Sequence, residues 1–160
     1  MNSTSKTEAL AHSTLGAELN TEERALLVER MGSQTIGEGE TLVKEGETRR
    51  TLFMLASGSI DVCKMSPKGE QAVHQMQPGE CAGTRAFIDG SARKATLRSR
   101  TTSEVLTLEP DDFEALLETQ PRIVYKVMRA IFRITHANLM RMNQETHQLQ
   151  DYFLRTGDRH

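Results

Sequence analysis

The run most capable of chemistry lies between Pro78 and Thr96 and reads Pro-Gly-Glu-Cys-Ala-Gly-Thr-Arg-Ala-Phe-Ile-Asp-Gly-Ser-Ala-Arg-Lys-Ala-Thr. Gly83 permits a sharp turn after a strand ending at Ala82, and Thr84 to Ile88 has the length of one short helical turn. A glycine turn feeding a helix start aims amide hydrogens at one spot, which suits a phosphate oxygen. Arg93 can add a bidentate, charge-assisted contact, and Lys94 a further positive charge if it points inward. The candidate ligand-binding residues are therefore Gly83, Thr84, Arg85, Ala86, Arg93, Lys94 and Ala95. A plainer reading stands beside this one, in which Arg93 is a solvated loop charge and Gly83 merely serves the turn.

Other chemistry-bearing residues do not assemble into a site. His12, His74, His136, His147 and His160 share no metal-ligand spacing. His136 and His147 fall on one helix about three turns apart, too far for one ion. Cys63 and Cys81 form no CxxC pair, and as lone thiols without a secretory signal they suit a reducing cytoplasm. There is no nucleophile elbow, Walker loop or HExxH run, so we expect no enzyme, no metal and no cofactor. A formal charge of −2 excludes a globally basic nucleic-acid binder. Locally, Arg85, Arg93, Lys94, Arg98 and Arg100 cluster with Asp89 as the only acid, either as solvated strand ends or as an anion-binding patch.

The elements that must position these residues follow from turn spacing and periodicity. Residues 1–19 are polar, without sustained periodicity, and read as a flexible leader with room for one helical turn. Asn20 and Glu23 form a helix-capping pair, with Ala25, Leu26 and Met31 as the apolar face. Glycine turns then recur at Gly46, Gly58, Gly69, Gly79 and Gly90, at spacings of 10 to 12 residues. The β-prone runs between and beyond them are Thr41–Val43, Leu52–Ala56, Ser59–Met65, Gln71–Met76, Ala95–Arg98 and Val105–Leu108. Such regular turns imply an antiparallel sandwich or barrel.

After Leu108 the period becomes helical. Pro110, Asp111 and Asp112 favour a first turn, with Phe113, Leu116 and Leu117 buried. Pro121 opens a long helix to about Leu154, leaving residues 155–160 as a tail. Val124, Val127, Ile131 and Ile134 make a stripe suited to the β-core. Met128, Phe132, Thr135, Leu139, Met142, Thr146, Leu149 and Phe153 step by four and three, the spacing of a coiled-coil seam. We read this seam as a parallel homodimer contact; the alternative is that it packs within the chain or frays past Met142. The apolar runs are too short to cross a bilayer and the N-terminus lacks a signal core, which suggests a cytoplasmic protein.

The segment from Pro78 to Thr96 resembles the phosphate-binding cassette of the cyclic nucleotide-binding domain family, which includes the bacterial catabolite activator proteins. Pro78, Gly79, Gly83, Ala86, Gly90, Arg93, Ala95 and Thr96 match it in register without gaps. The resemblance implies a mainly β fold with flanking helices: a jelly-roll-like β-roll (a double-stranded β-helix) over residues 20–120 and a C-terminal dimerisation helix over 121–154. It implies cyclic AMP or a related phosphorylated nucleotide as ligand, with Thr135 and Asn138 capping the base. Three positions depart from the pattern. Thr84 stands where the family has a glutamate that accepts from the ribose 2′-hydroxyl, Ala92 where it has a proline, and Lys94 where it has a small residue. Losing a charged acceptor costs about 1.5–3 kcal/mol, roughly 10- to 100-fold in affinity. Only six residues follow Leu154, too few for the family's DNA-reading module, so no direct DNA binding is expected. The expected function is a stand-alone sensor acting through its dimer helix or an unidentified protein partner; the competing one is a ligand-free dimerising scaffold.

Overall fold

The strand β3 (Leu52–Ser57) shows how the chain divides its core. Its first four residues are all buried, because alternate side chains serve opposite faces. Phe53 and Leu55 point into the roll with Ile36, Leu42, Val43, Ile60, Leu97 and Val105. Leu52 and Met54 face a second cluster containing Leu27, Phe113, Ile123 and Val127, which the helices supply. A strand covered on both sides reads as a continuous apolar run.

The computed structural model describes the backbone of residues 1–157; side chains at 145, 146, 149, 152, 153 and from 155 onward lie outside the described residues. Two helices come first, α1 (Ser3–Ala11) and α2 (Thr21–Val28). The strands β1 (Gly32–Ile36), β2 (Thr41–Val43), β3, β4 (Ile60–Ser66), β5 (Gly69–Met76) and β6 (Cys81–Ala82) follow. A short α3 (Thr84–Asp89) precedes β7 (Thr96–Ser99) and β8 (Ser103–Leu108), and α4 (Pro110–Glu114) and α5 (Pro121–Gly157) close the chain. The strands pair antiparallel in two four-stranded sheets, ordered β1-β8-β3-β6 and β2-β7-β4-β5. The architecture is thus mainly β, a double-stranded roll with flanking helices and a long C-terminal helix, as the resemblance implied, and antiparallel as the turn spacing implied.

Several local expectations are corrected. Residues 1–19 are not a mobile leader: α1 forms, and Leu10, Leu15 and Leu19 are buried against the helical cluster. Their spacing has no helical period because Leu15 and Leu19 lie in the turn segment beyond α1. Strand β1 went unread because its first four residues, Gly-Ser-Gln-Thr, are exposed at a sheet edge and only Ile36 is buried. Ala25 is exposed, and α2 instead buries Leu27 and Val28. Leu117 is likewise exposed, while Phe113 and Leu116 are buried as expected. Helix α5 continues three residues past Leu154. Both thiols are free, and burial raises their pKa values, that of Cys81 to about 12.

Helix α2 and the segment before it are tied to α5 by charge. Asn20 and Glu23 form a reciprocal capping box, and Glu23 Oε1 lies 2.7 Å from Lys126 Nζ. Glu18 Oε1 reaches Arg129 Nη2 at 3.4 Å and Arg133 Nη1 at 3.1 Å. The Asn20 amide, then Lys126, hold the Glu23 carboxyl below its ordinary value of 4.5. A carboxylate favoured in the folded state contributes stability above its unfolded pKa, and loses it as pH falls through the folded value. We expect Glu23→Gln to lower stability at pH 7 by about 1–2 kcal/mol. Below about pH 4.5 the difference from wild type should shrink, as urea unfolding across pH 2–7 will show.

Candidate functional site

Strand β6 ends at Ala82, and the chain turns through Gly83, whose φ of +88° lies in the left-handed region. That conformation admits glycine without the Cβ penalty other residues incur. Helix α3 follows at once, with Phe87 N donating to Gly83 O at 2.9 Å. A second left-handed glycine, Gly90, closes it.

Arg93 returns over this turn and is only 6% exposed. Its Nε donates to Arg49 O at 2.9 Å, and Nη2 donates to Thr51 O. The guanidinium lies 5.3 Å from the centroid of the Phe53 ring, in a cation–π contact. Nη1, held by no hydrogen bond among the described residues, sits against Gly83: a Cβ built there falls 1.8 Å from it. The glycine and the guanidinium therefore occupy one space, which only a residue without a side chain leaves available. Burial, reinforced by neighbouring Arg49, lowers the Arg93 pKa from its ordinary value, and Glu47 and Glu109 oppose that shift.

The surrounding groups form a connected shell. Arg49 lies 5.1 Å from the Phe53 centroid, and its Nε donates to Thr51 Oγ1 at 3.2 Å. Thr51 donates in turn to Glu109 Oε1 at 2.6 Å. Arg50 holds the far end of α3: its Nε donates to Ala86 O at 3.4 Å, and Nη2 to Phe87 O and Ile88 O at 3.1 and 3.3 Å. Phe87 O and Ile88 O are carbonyls the helix C-terminus leaves without internal partners, whereas Ala86 O also accepts from Gly90 N at 3.0 Å. The backbone around Arg93 is also pinned, with Arg93 N donating to Glu47 O and Gly46 N to Arg93 O, each at 2.8 Å.

The expected residues separate into two sets. Gly83, Thr84, Ala86 and Arg93 converge; Ala86 is buried beneath the turn, and Ala95 is half-buried on the approach to β7. Arg85 and Lys94 are exposed, so the lysine does not point inward to offset the absent glutamate. Arg98 and Arg100 form no anion patch with the turn, because Arg98 pairs with Glu70 at 3.0 Å and Arg100 lies 3.9 Å from Asp61. Thr84 is buried, and its hydroxyl oxygen lies 2.9 Å from Thr135 Oγ1 on α5. Thr135, expected both at the seam and at the base, thus turns its hydroxyl toward α3, while Asn138 is half-buried about one turn further along.

The rest of the seam is on the outside where it is described: Met128, Leu139 and Met142 are exposed, and Phe132 is 71% exposed and stacked on His136. The seam positions Thr146, Leu149 and Phe153 fall on side chains outside the described residues. The sequence reading missed Arg49, Arg50, Thr51, Phe53 and Glu109. They lie 30 or more residues before the turn, or after it on another element, and only the paired arginines at 49 and 50 offered a local signal.

A buried guanidinium seated against a glycine turn and a short helix marks this corner of the two-sheet roll. Residues 33–120 match the family described as the cyclic nucleotide-binding domain, and the chain belongs to that family. It is 30% identical over 101 residues to a cAMP-dependent protein kinase regulatory subunit of Yarrowia lipolytica, covering 63% of this chain and 26% of that protein. It is 26% identical over 95 residues to the cAMP-activated global transcriptional regulator CRP of Salmonella typhimurium, covering 58% and 45%. The chain thus spans only about a quarter of the first relative and under half of the second. In fold it is similar to a cyclic nucleotide-binding domain from Methylobacillus flagellatus, with a TM-score of 0.79, 22% identity, and coverage of 89% and 81%. The family is a regulatory one, not a catalytic one. No described helix is long and apolar enough to cross a membrane.

Because Gly83 and Arg93 share one space, Gly83→Ala should cost about 2–4 kcal/mol, combining left-handed strain with displacement of the guanidinium. In an Arg93→Ala background the same change should cost only about 1–2 kcal/mol. A double-mutant cycle by urea unfolding measures the difference.

Proposed function

We propose that the domain is a sensor that binds a cyclic nucleotide such as cyclic AMP against Gly83–Ala86 and Arg93, and signals through α5 to a second copy or another protein. The observation that carries this reading is the geometry of Arg93. Its guanidinium is oriented by two carbonyls and the Phe53 ring, with one nitrogen left toward the glycine turn. A fixed, partly desolvated cation facing a left-handed turn suits an oxyanion, because its orientation needs no reorganisation on binding.

The competing reading, a ligand-free scaffold, also has a specific observation in its favour. Arg93 already donates to protein carbonyls, and Thr84 is already paired with Thr135. Cyclic AMP, cyclic GMP and cyclic dinucleotides in a thermal melt separate the two. Under the sensor reading, a nucleotide at 100 times its Kd adds about 2.7 kcal/mol, raising Tm by roughly 5–10 °C. Arg93→Lys should weaken binding by about tenfold or more, because an ammonium cannot hold both carbonyls and still face the anion. No shift with any of these ligands at millimolar concentration favours the scaffold.

The signalling half of the proposal rests on the exposed stripe of α5. Met128, Phe132 and Leu139 expose apolar surface along one flank of a helix whose other side is buried at Val124, Val127 and Ile131. A second copy of α5 laid parallel would cover that stripe by knobs-into-holes packing. Phe132→Glu should convert the wild-type dimer to monomer in analytical ultracentrifugation, with far-UV circular dichroism unchanged. A wild-type chain that sediments as a monomer at about 100 µM overturns the seam.

A further inference from the structure

The cations at the glycine turn outnumber the charge of one phosphodiester. Arg49 and Arg93 hold their guanidinium carbons 5.1 and 5.3 Å from the centroid of a single ring, that of Phe53, and so lie no more than about 10 Å apart. Arg93 is buried and turns Nη1 toward Gly83, whereas Arg49 is exposed. Arg49 engages only its Nε, on Thr51 Oγ1; among the described residues its two terminal nitrogens make no hydrogen bond.

No carboxylate of the chain answers this pair. Among the described residues neither Arg49 nor Arg93 forms an ion pair, whereas Arg98, Arg129 and Arg133 each do. Glu109 accepts from the Thr51 hydroxyl, and Glu47 Oε1 accepts from Lys44 N at 3.1 Å. Burial, and then the charge of Arg49, disfavour the protonated form of Arg93, so the two cations repel each other across the corner. A singly charged ligand neutralises one of them and leaves the other with free donors. Resting on the sensor reading above, we infer that this site selects nucleotides carrying two negative charges over singly charged cyclic AMP, with Arg93 holding the first charge and Arg49 the second. The second charge can sit on a second phosphodiester, as in a cyclic dinucleotide, or on the same phosphorus, as in a phosphate monoester above its second pKa of about 6. Arg49 is then a specificity-determining residue.

The test is isothermal titration of the full chain at about pH 8 with cyclic AMP, cyclic di-AMP and 5′-AMP. At least one doubly charged ligand should bind about tenfold tighter than cyclic AMP, the worth of one charge-assisted contact. Tight binding of cyclic di-AMP alone assigns the two charges to separate phosphates, and tight binding of 5′-AMP assigns them to one. Arg49→Gln should bring the ratio to within about twofold. Arg49→Lys, which keeps the charge and loses the planar fork, should retain a preference of about threefold or more. Arg122→Gln removes an exposed cation about 20 Å along α5 from Thr135 and should leave the ratio unchanged. A wild-type preference below about threefold for both doubly charged ligands overturns the inference, and so does a preference that survives Arg49→Gln. Failure of all three ligands to bind a cooperatively folded wild type defeats the sensor reading itself, a result distinct from either ratio.

Discussion

A guanidinium that is 6% exposed needs acceptors for its donors, and the chain supplies them from one short stretch. Arg49 O and Thr51 O bracket the entry to β3, and the Phe53 ring immediately beyond stacks on the same charge. Removing the cation would strand two carbonyls and uncover an aromatic face at the rim of the inner core. Keeping it excludes any side chain at position 83. The loop before β3, the turn after β6 and the approach to β7 are thereby locked to one another through a single residue. That interlock is why a cassette contiguous in sequence acts as one rigid corner of the roll.

Helix α3 is held to this corner at both ends, by groups of different kinds. At its N-terminal end Thr84 bonds to α5; at its C-terminal end Arg50 donates to three carbonyls, only one of which, Ala86 O, also has a backbone donor in Gly90 N. Phe87, from the middle of α3, packs on Phe113 of α4 with ring centroids 5.4 Å apart. A helix of six residues has little stability of its own, so these external contacts set its position. A displacement of α3 must strain either the Arg50 contacts or the Thr84–Thr135 bond. The hydroxyl pair is the weaker link, since one neutral hydrogen bond is worth about 0.5–1.5 kcal/mol and bonds to a charged donor about twice that.

Much of this was legible in the residues. The glycine periodicity marked an antiparallel β region, Pro110 and Pro121 marked the two C-terminal helices, and the resemblance of the cassette marked the roll, the turn and Arg93. What could not be read were interactions set by distant segments. Arg49 and Arg50 look like surface charges until β3 is known to run beneath the turn, and nothing local distinguishes a lysine that faces the pocket from one like Lys94 that faces water. Thr135 was ambiguous because it satisfies two periodicities at once, that of the seam and that of the face toward α3. Leu15 and Leu19 are buried through a turn segment, where no period exists to find. Strand β1 hid for the converse reason, being an edge strand with almost no buried face.

The charges along α5 bear on how it could associate. Lys126, Arg129 and Arg133 would be the natural source of interhelical ion pairs beside the seam, yet Glu23 and Glu18 of the same chain already take them. The attraction left to a second helix is therefore mainly apolar, from Phe132, Met128 and Leu139. Apolar association is weakly directional, so the register of two helices needs another source. The N-terminal segment offers one. By clamping the first turns of α5 through Glu18 and Glu23, with Leu10, Leu15 and Leu19 buried alongside, it fixes how the apolar stripe emerges from the roll. The residues that look most dispensable in the sequence thus orient the surface on which association depends, and they do so from the side of α5 that Thr84 does not touch.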